Sequence, residues 1–334
     1  MRQQHFAITG LDAAARSGAP GANNRPCRLG RAAAWWCLVA FGFLAFACQS
    51  EARRPPAAPT ANVVHPVVYL PADLDLVLHL NVQKFRESMG PDPELSLVRL
   101  WESFGPNSEG SFDTHEPLLK LLKGCNSLWL GCRLSEKGCR DFVFVLRGQW
   151  SGTYRDYGFG TEHNRRDLGA GWLSFDHALA RRSSFARLYW RAPELAVLVS
   201  TAELDSTERT LEQSRDATTL EPSEDGVMSL VARSTGLARL VRPRSPKGAE
   251  WLGQSERIEI RFEPTGPETI ATFTVLFDDA DKAKLSAEAF RILVTALSGF
   301  DARFKASNVV LELLGTHVVL RVRLPTLESG SEVR

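Results

Sequence analysis

The sequence predicts an α+β fold: two related units of antiparallel sheet with helices packed on one face, arranged so that a continuous sheet can be shared. Three observations carry this reading. Apolar residues alternate with polar or charged ones in Leu74–Asn81 and Arg257–Glu263, the pattern of antiparallel strands with one wet face. Apolar residues recur at helical spacing in Leu97–Phe104 and again from Leu285 to Ala296. The order strand, helix, hairpin, connection, hairpin occurs twice along the chain. The 334 residues are 44% hydrophobic and 24% charged, enough apolar material for about two compact units and too much for disorder throughout. A net charge of +1 gives no reason to expect a nucleic-acid partner.

The elements follow in order. Leu74, Leu76, Leu78 and Leu80 make the first strand, with Asp75, His79 and Asn81 on its polar face. Ser88–Pro93 breaks the chain. A helix over Leu97, Leu100, Trp101 and Phe104 stops at Gly105-Pro106, and a short one covers Leu118–Lys123. Ser127–Arg133 and Asp141–Arg147 form a hairpin. Gln149–Ala180 reads as an irregular excursion rich in Gly and charge. A second hairpin joins Arg187–Trp190 to Leu195–Ser200, and Ala202–Ser214 is a polar helix with Leu204 and Leu211 on one side. The second unit repeats this: strand Val227–Arg233, helix Ser234–Val241, then a hairpin through Pro264–Pro267. Asp278 or Asp279 caps a helix whose core face is Leu285, Ala289, Ile292, Leu293 and Ala296. Gly315-Thr316 closes the last hairpin as a tight turn. The repeat aligns Leu76–Ser88 with Val227–Val241, Ser127–Arg147 with Arg257–Phe277, and Arg187–Ser200 with Val309–Leu324.

The N-terminal segment is an export signal. Arg25, Arg28 and Arg31 precede an uncharged run of 16 residues, Ala32–Ala47. As a helix the run reaches roughly 24 Å, short of a hydrocarbon core of about 30 Å, so it is read as a cleaved leader. Cys48 follows, and Leu44-Ala45-Phe46-Ala47-Cys48 resembles a bacterial lipobox, with Ala45 at the place that is usually aliphatic. The resemblance implies diacylglycerol on the Cys48 thiol, cleavage before it and acylation of the new N-terminus. Gln49–Asn62 is rich in Pro and Ala, as suits a tether. Gln49 after the cysteine resembles the outer-membrane sorting pattern. The expected organisation is therefore a signal peptide at 1–47, a lipid-anchored linker at 48–66, units at 67–217 and 218–327, and a disordered tail at 328–334. The leader holds five basic residues and one acidic, so its removal leaves 35 basic against 38 acidic, a mildly acidic body.

Of six cysteines, the leader takes Cys27 and Cys37 and the lipid takes Cys48. Cys125, Cys132 and Cys139 remain, in a compartment that permits disulfides. Cys132 and Cys139 flank a turn, which suits a cross-strand disulfide; Cys125 with either is the alternative. The seven-residue spacing lacks a zinc knuckle, so no metal site is expected.

Leu70-Pro-Ala-Asp-Leu-Asp75, continued by the alternating strand and by Arg86 and Ser88, resembles an L-P-A-D-x-D opening that recurs in uncharacterised bacterial envelope lipoproteins. That resemblance implies a lipoprotein leader and a duplicated α+β body, and it implies no activity.

Motif chemistry is sparse. The chain has no G-x-S-x-G, Walker A, G-x-G-x-x-G, H-E-x-x-H or EF-hand pattern, and no cofactor is expected. Asp278, Asp279 and Asp281 are read as a helix cap rather than a cation site. Trp150, Tyr154, Tyr157, Phe159 and Trp172 concentrate aromatics in the excursion and make it the candidate binding loop. The expected function is that of a non-enzymatic, lipid-anchored envelope protein with a binding or structural role. It sits in the bacterial envelope, at the outer membrane, facing periplasm or cell surface. Its partners are the membrane, through the lipid, and an envelope protein or polymer; nucleic acid is not one. The alternatives are an envelope hydrolase using Asp141–Asp176 with His163 or His177, and a carrier of an apolar ligand between the units.

Overall fold

The computed structural model describes residues 65–88, 116–136, 138–151, 165–176, 186–191, 193–213, 217–243, 245–265, 268–298 and 308–325. The leader, the linker up to residue 64 with Cys48, the Leu97–Phe104 helix, Tyr154, Tyr157, Phe159, His163, His177 and the tail lie outside them, whereas His65 and Pro66, expected in the linker, are ordered as the cap and first residue of a 3₁₀ turn. Alternation at the L-P-A-D segment folds as β1 (Leu76–Asn81), followed by α1 (Val82–Ser88) and α2 (Glu116–Lys123). The first half continues with β2 (Cys125–Ser135), β3 (Gly138–Gly148), β4 (Arg165–Gly169), β5 (Trp172–Asp176), β6 (Arg187–Arg191), β7 (Leu195–Val199) and α3 (Leu204–Gln213). The second half holds β8 (Met228–Arg233), α4 (Ser234–Val241), α5 (Pro246–Leu252), β9 (Ser255–Thr265), β10 (Glu268–Phe277), α6 (Ala280–Ser298), β11 (Val309–Leu314) and β12 (His317–Pro325).

All strands join one 12-stranded sheet, in the order β11-β12-β10-β9-β8-β1-β2-β3-β7-β6-β5-β4. Every pairing is antiparallel, including β1 with β8 at the centre. Read outward from the centre, the halves run β1-β2-β3-β7-β6 and β8-β9-β10-β12-β11, with the same connections. The first half alone adds β5 and β4. The excursion from Gln149 is therefore partly a hairpin, with Ala170 and Gly171 at positive φ in its turn.

Register ties the halves together. Leu78 faces Leu230 across the centre. From Leu78 the same row runs through Leu130, Phe144, Leu198 and Leu188. From Leu230 it runs through Ile260, Phe273, Leu320 and Leu311. This apolar row lies under one side of the sheet. There Val82 and Phe85 of α1, Leu121 and Leu122 of α2, Leu237 of α4, Leu252 of α5, and Ala283, Ala287 and Val294 of α6 join the same buried cluster.

The expectation of helices on one face does not hold. A 3₁₀ turn (Pro66–Tyr69) and α3 cover the opposite face of the first half, burying Val77, Trp129, Val145, Val197 and Tyr189 under Val67, Tyr69 and Leu211. The second half is more polar at the corresponding places, with Glu259, Thr274 and Glu312 half-buried and Val231 and Val319 buried. There the row Val231, Glu259, Thr274, Val319 and Glu312 replaces His79, Trp129, Val145, Val197 and Tyr189.

The core face of α6 also differs from the expected one. Ala283, Ser286, Ala287 and Val294 point to the sheet, while Leu285 and Ile292 are 69% and 73% exposed and Ala289 is exposed too. Leu293 and Ala296 lie outside the described side chains. The helix carries apolar residues on two opposite sides, and small side chains on one side let its axis approach the strands. Asp279 caps it, accepting from the Asp281 N–H at 2.6 Å. Helix α5 was not anticipated; Ser245 starts it by accepting from the Gly248 N–H.

The L-P-A-D-L-D segment locks the centre. The buried Asp75 carboxylate accepts from the Leu134 N–H at 2.9 Å and from Arg239 Nη2 of α4 at 2.6 Å, so it bridges the two halves. Asp73 accepts from Arg133 at 2.6 Å, and Arg133 also donates to Glu203, which is fully buried. A buried carboxylate without such donors would cost several kcal/mol. Gly236 on α4 permits the approach: a Cβ there would lie 2.6 Å from the Asp75 Cβ.

Two outcomes are expected from urea unfolding. Asp75→Ala leaves the Leu134 N–H unsatisfied and lowers stability by about 2 kcal/mol. Gly236→Ala also destabilises, by about 1 kcal/mol net. Its gain in helix propensity, about 1 kcal/mol, is outweighed by a clash with a side chain held at both oxygens.

Candidate functional site

Among the described residues, two histidines and a carboxylate meet beside the central strand pair. His79 of β1 lies between Trp129 of β2 and Ser229 of β8 in register. The strand alternation turns it away from the apolar row and into the second core, where it is 2% exposed. Its ring lies 4.7 Å from the Trp129 ring at 35°. His65, just before the 3₁₀ turn, approaches the same indole at 6.1 Å, edge on. Glu224, in the connection before β8, accepts from His65 Nε2 at 2.7 Å.

The electrostatics of the two imidazoles are opposed. The bond to Glu224 raises His65 above the ordinary histidine value of 6.5, against a smaller effect of burial. The same bond lowers Glu224. Burial lowers His79, partly offset by the charge of Glu224. The surroundings thus favour the charged form of His65 and the neutral form of His79. Among the described residues, neither His79 Nδ1 nor Trp129 Nε1 has a hydrogen-bond partner. The Ser229 hydroxyl donates to the Ser223 carbonyl, so it is not poised as a nucleophile on His79. Among the described residues no three His, Cys, Asp or Glu side chains converge as metal ligands. The arrangement is suited to a pH-sensitive clamp between the start of the body and its second half.

The cysteines behave differently from one another. Cys132 and Cys139 form a disulfide across the β2–β3 turn, with Cα atoms 5.9 Å apart. Cys125 is a buried thiol, donating to the Ser127 carbonyl at 3.0 Å, and burial pushes it up to about 12. Such a thiol is inert.

Two residues of the candidate binding loop, Trp150 and Trp172, do not share a surface. Trp150 and Trp172 are both buried, on opposite faces of the sheet. Trp150 donates to the Leu121 carbonyl at 2.9 Å and packs on Trp190. Trp172 packs edge-on against Tyr69, with the Arg191 guanidinium 5.9 Å from its ring. These indoles fill core space that smaller side chains would leave empty. Tyr154, Tyr157 and Phe159 lie outside the described residues. Between the halves β1 and β8 are paired neighbours, and the apolar cluster runs on across them. A shallow groove between α4 and α5 is lined by Thr235, Arg239, Arg242, Glu250 and Gln254. Periodicity gives no sign of the His65–Glu224 pair, because 158 intervening residues separate two ordinary-looking loop positions; only the strand position of His79 is visible.

The clamp predicts a pH signature. Because His65 is raised, its contribution is complete below pH 6.5 and is lost as pH climbs through the raised value. Because His79 is lowered, stability falls as pH drops below 6.5. His65→Gln is therefore expected to abolish the alkaline decline, and His79→Gln the acid one, in unfolding curves measured across this range.

No protein-family model and no curated protein matches the sequence. Among solved structures, the chain is similar to TP0453 in crystal forms I, III and IV, with TM-scores of 0.46, 0.42 and 0.47. Each alignment has 10% identity and covers 79% of this chain and 94%, 95% and 94% of the other.

Proposed function

We propose that this is a non-enzymatic, lipid-anchored protein of the bacterial envelope, built on a duplicated α+β unit and serving a binding or structural role. The observation that carries the reading is the succession at the N-terminus. A basic segment, a 16-residue apolar run, Cys48 and a Pro/Ala-rich stretch lead directly to His65, the first described residue, which is clamped to Glu224. Residues 49–64 between lipid and clamp reach at most about 55 Å when extended, so the body stays near the membrane that holds the acyl chains. Several chains give stable anchoring where one does not.

The duplication is supported by topology and register together. The two halves share strand order from the centre outward, and the apolar row reads Leu, Leu, Phe, Leu, Leu on one side and Leu, Ile, Phe, Leu, Leu on the other. The structural role is supported by how the central charges are used. Arg133 binds both Asp73 and Glu203, Asp75 binds Arg239, and His65 binds Glu224.

Metabolic labelling with a fatty acid tests the anchor. The wild-type chain is expected to take up label and fractionate with membranes, and Cys48→Ala to lose both properties. Equal labelling of the two chains would overturn the proposal.

A further inference from the structure

The two ends of the sheet are unlike. At one end β4 is 5 residues long and turns Arg165, Arg166 and Asp167 to solvent, a charged ending that discourages pairing. At the other end β11 reads Val-Val-Leu-Glu-Leu-Leu, with Val310, Leu313 and Leu314 exposed, Leu313 at 43%. Among the described residues no strand covers its outer edge. Its free groups can be assigned. A two-residue turn makes Leu314–His317 the closing hydrogen-bonded pair. Alternation then turns the N–H and C=O of Val310, Glu312 and Leu314 toward β12, and those of Val309, Leu311 and Leu313 outward.

The first half shows what such an edge accepts. Its corresponding strand, β6, is covered by β5, which sets Phe175 opposite Leu188 and Leu173 opposite Trp190. Counting register outward from Leu78–Leu230, Leu188 corresponds to Leu311 and Trp190 to Leu313. An occupant of the β11 edge should therefore be an antiparallel strand with apolar residues opposite Leu311 and Leu313.

We propose that the occupant is β11 of a second copy, paired about a two-fold axis at Leu311, so that one sheet runs through a dimer. In this register Leu311 meets Leu311 of the second copy and Leu313 meets its Val309. Both positions that are covered by apolar side chains in the first half receive apolar side chains here. Glu312 faces Val310 of the second copy, so no like charges oppose each other. Arg321, which pairs with Val310, then stands about 9.6 Å from the second copy's Glu312 on the same row. The register centred on Glu312 would set two glutamates face to face, which is unfavourable. The comparison with β5 rests on the duplicated-unit reading; the free edge and its self-complementary register do not.

Sedimentation velocity and cysteine cross-linking test this, in the full chain and in the Cys48→Ala background so that the result is independent of the anchor. The chain is expected to be a dimer at micromolar concentration. Leu311→Pro removes an outward N–H and spares the β12 ladder, so it should give a monomer with unchanged far-UV circular dichroism. Leu311→Cys should form an intermolecular disulfide under mild oxidation, since directly opposed residues have Cα atoms about 5.5 Å apart, within disulfide range. Leu314→Cys, exposed but far from the axis, should not. A monomeric wild-type chain overturns the proposal. So does a dimer that survives Leu311→Pro and leaves Leu311→Cys uncross-linked. Cross-linking of Leu311→Cys to a different protein gives the edge to that partner and overturns it equally.

Discussion

Strand β1 is paired on both edges, with β2 on one side and β8 on the other, and the rest of the sheet is built outward from it. Its placement is secured just before it starts. The Asp75 N–H donates to the Cys132 carbonyl of the first half, and the Asp75 carbonyl accepts from the Arg233 N–H of the second. The side chain repeats the bridge, to the Leu134 N–H and to Arg239. Arg233 also donates to the Ala72 carbonyl at 2.8 Å. A short segment thus receives bonds from both halves, through backbone and side chain. Backbone groups taken out of water must find partners, and here the partners come from opposite directions.

Sharing a sheet changes what each half must do. A lone sheet of this width would leave a long apolar face exposed, and here the helices of both halves cover one side in a single layer. The far side needs a cover only where its residues are apolar. Trp129, Val143, Val145 and Val197 require one, and the 3₁₀ turn and α3 supply it. Glu259, Thr274 and Arg261 do not. His79 and Trp129 stand where the covered region meets the wet one, with His65 and Glu224 closing over them. Among the described residues, His65 and His79 therefore sit at the boundary between a dry face and a hydrated one.

Much of the fold was legible because it depends on local periodicity. Alternation in Leu74–Asn81 and Arg257–Glu263 marks strands wherever one face is dry, and the turn at Gly315-Thr316 sets its hairpin by length alone. Helix α6 shows where this fails. It has apolar residues on two opposite sides, and periodicity favours the larger ones, Leu285 and Ile292. The sheet instead takes Ala283 and Ala287, because close packing over strands rewards small side chains. Trp150 and Trp172 show the same difficulty. Aromatics in a Gly-rich stretch read as a surface, yet each has a core cavity waiting on a different face of the sheet.

By itself the sequence determined most of the strands and helices, and it sets a basic segment, an apolar run and Cys48 at the N-terminus. These follow from spacing and composition over a few residues, where hydrophobic burial and turn chemistry act locally. Only the tertiary structure decided that β1 and β8 are neighbours, that α3 lies on the far face, that Asp75 joins the halves, and that β11 ends the sheet with an apolar edge. Each of those depends on groups brought together from distant parts of the chain. Their partners are chosen by which strands pair, and no local pattern encodes that choice.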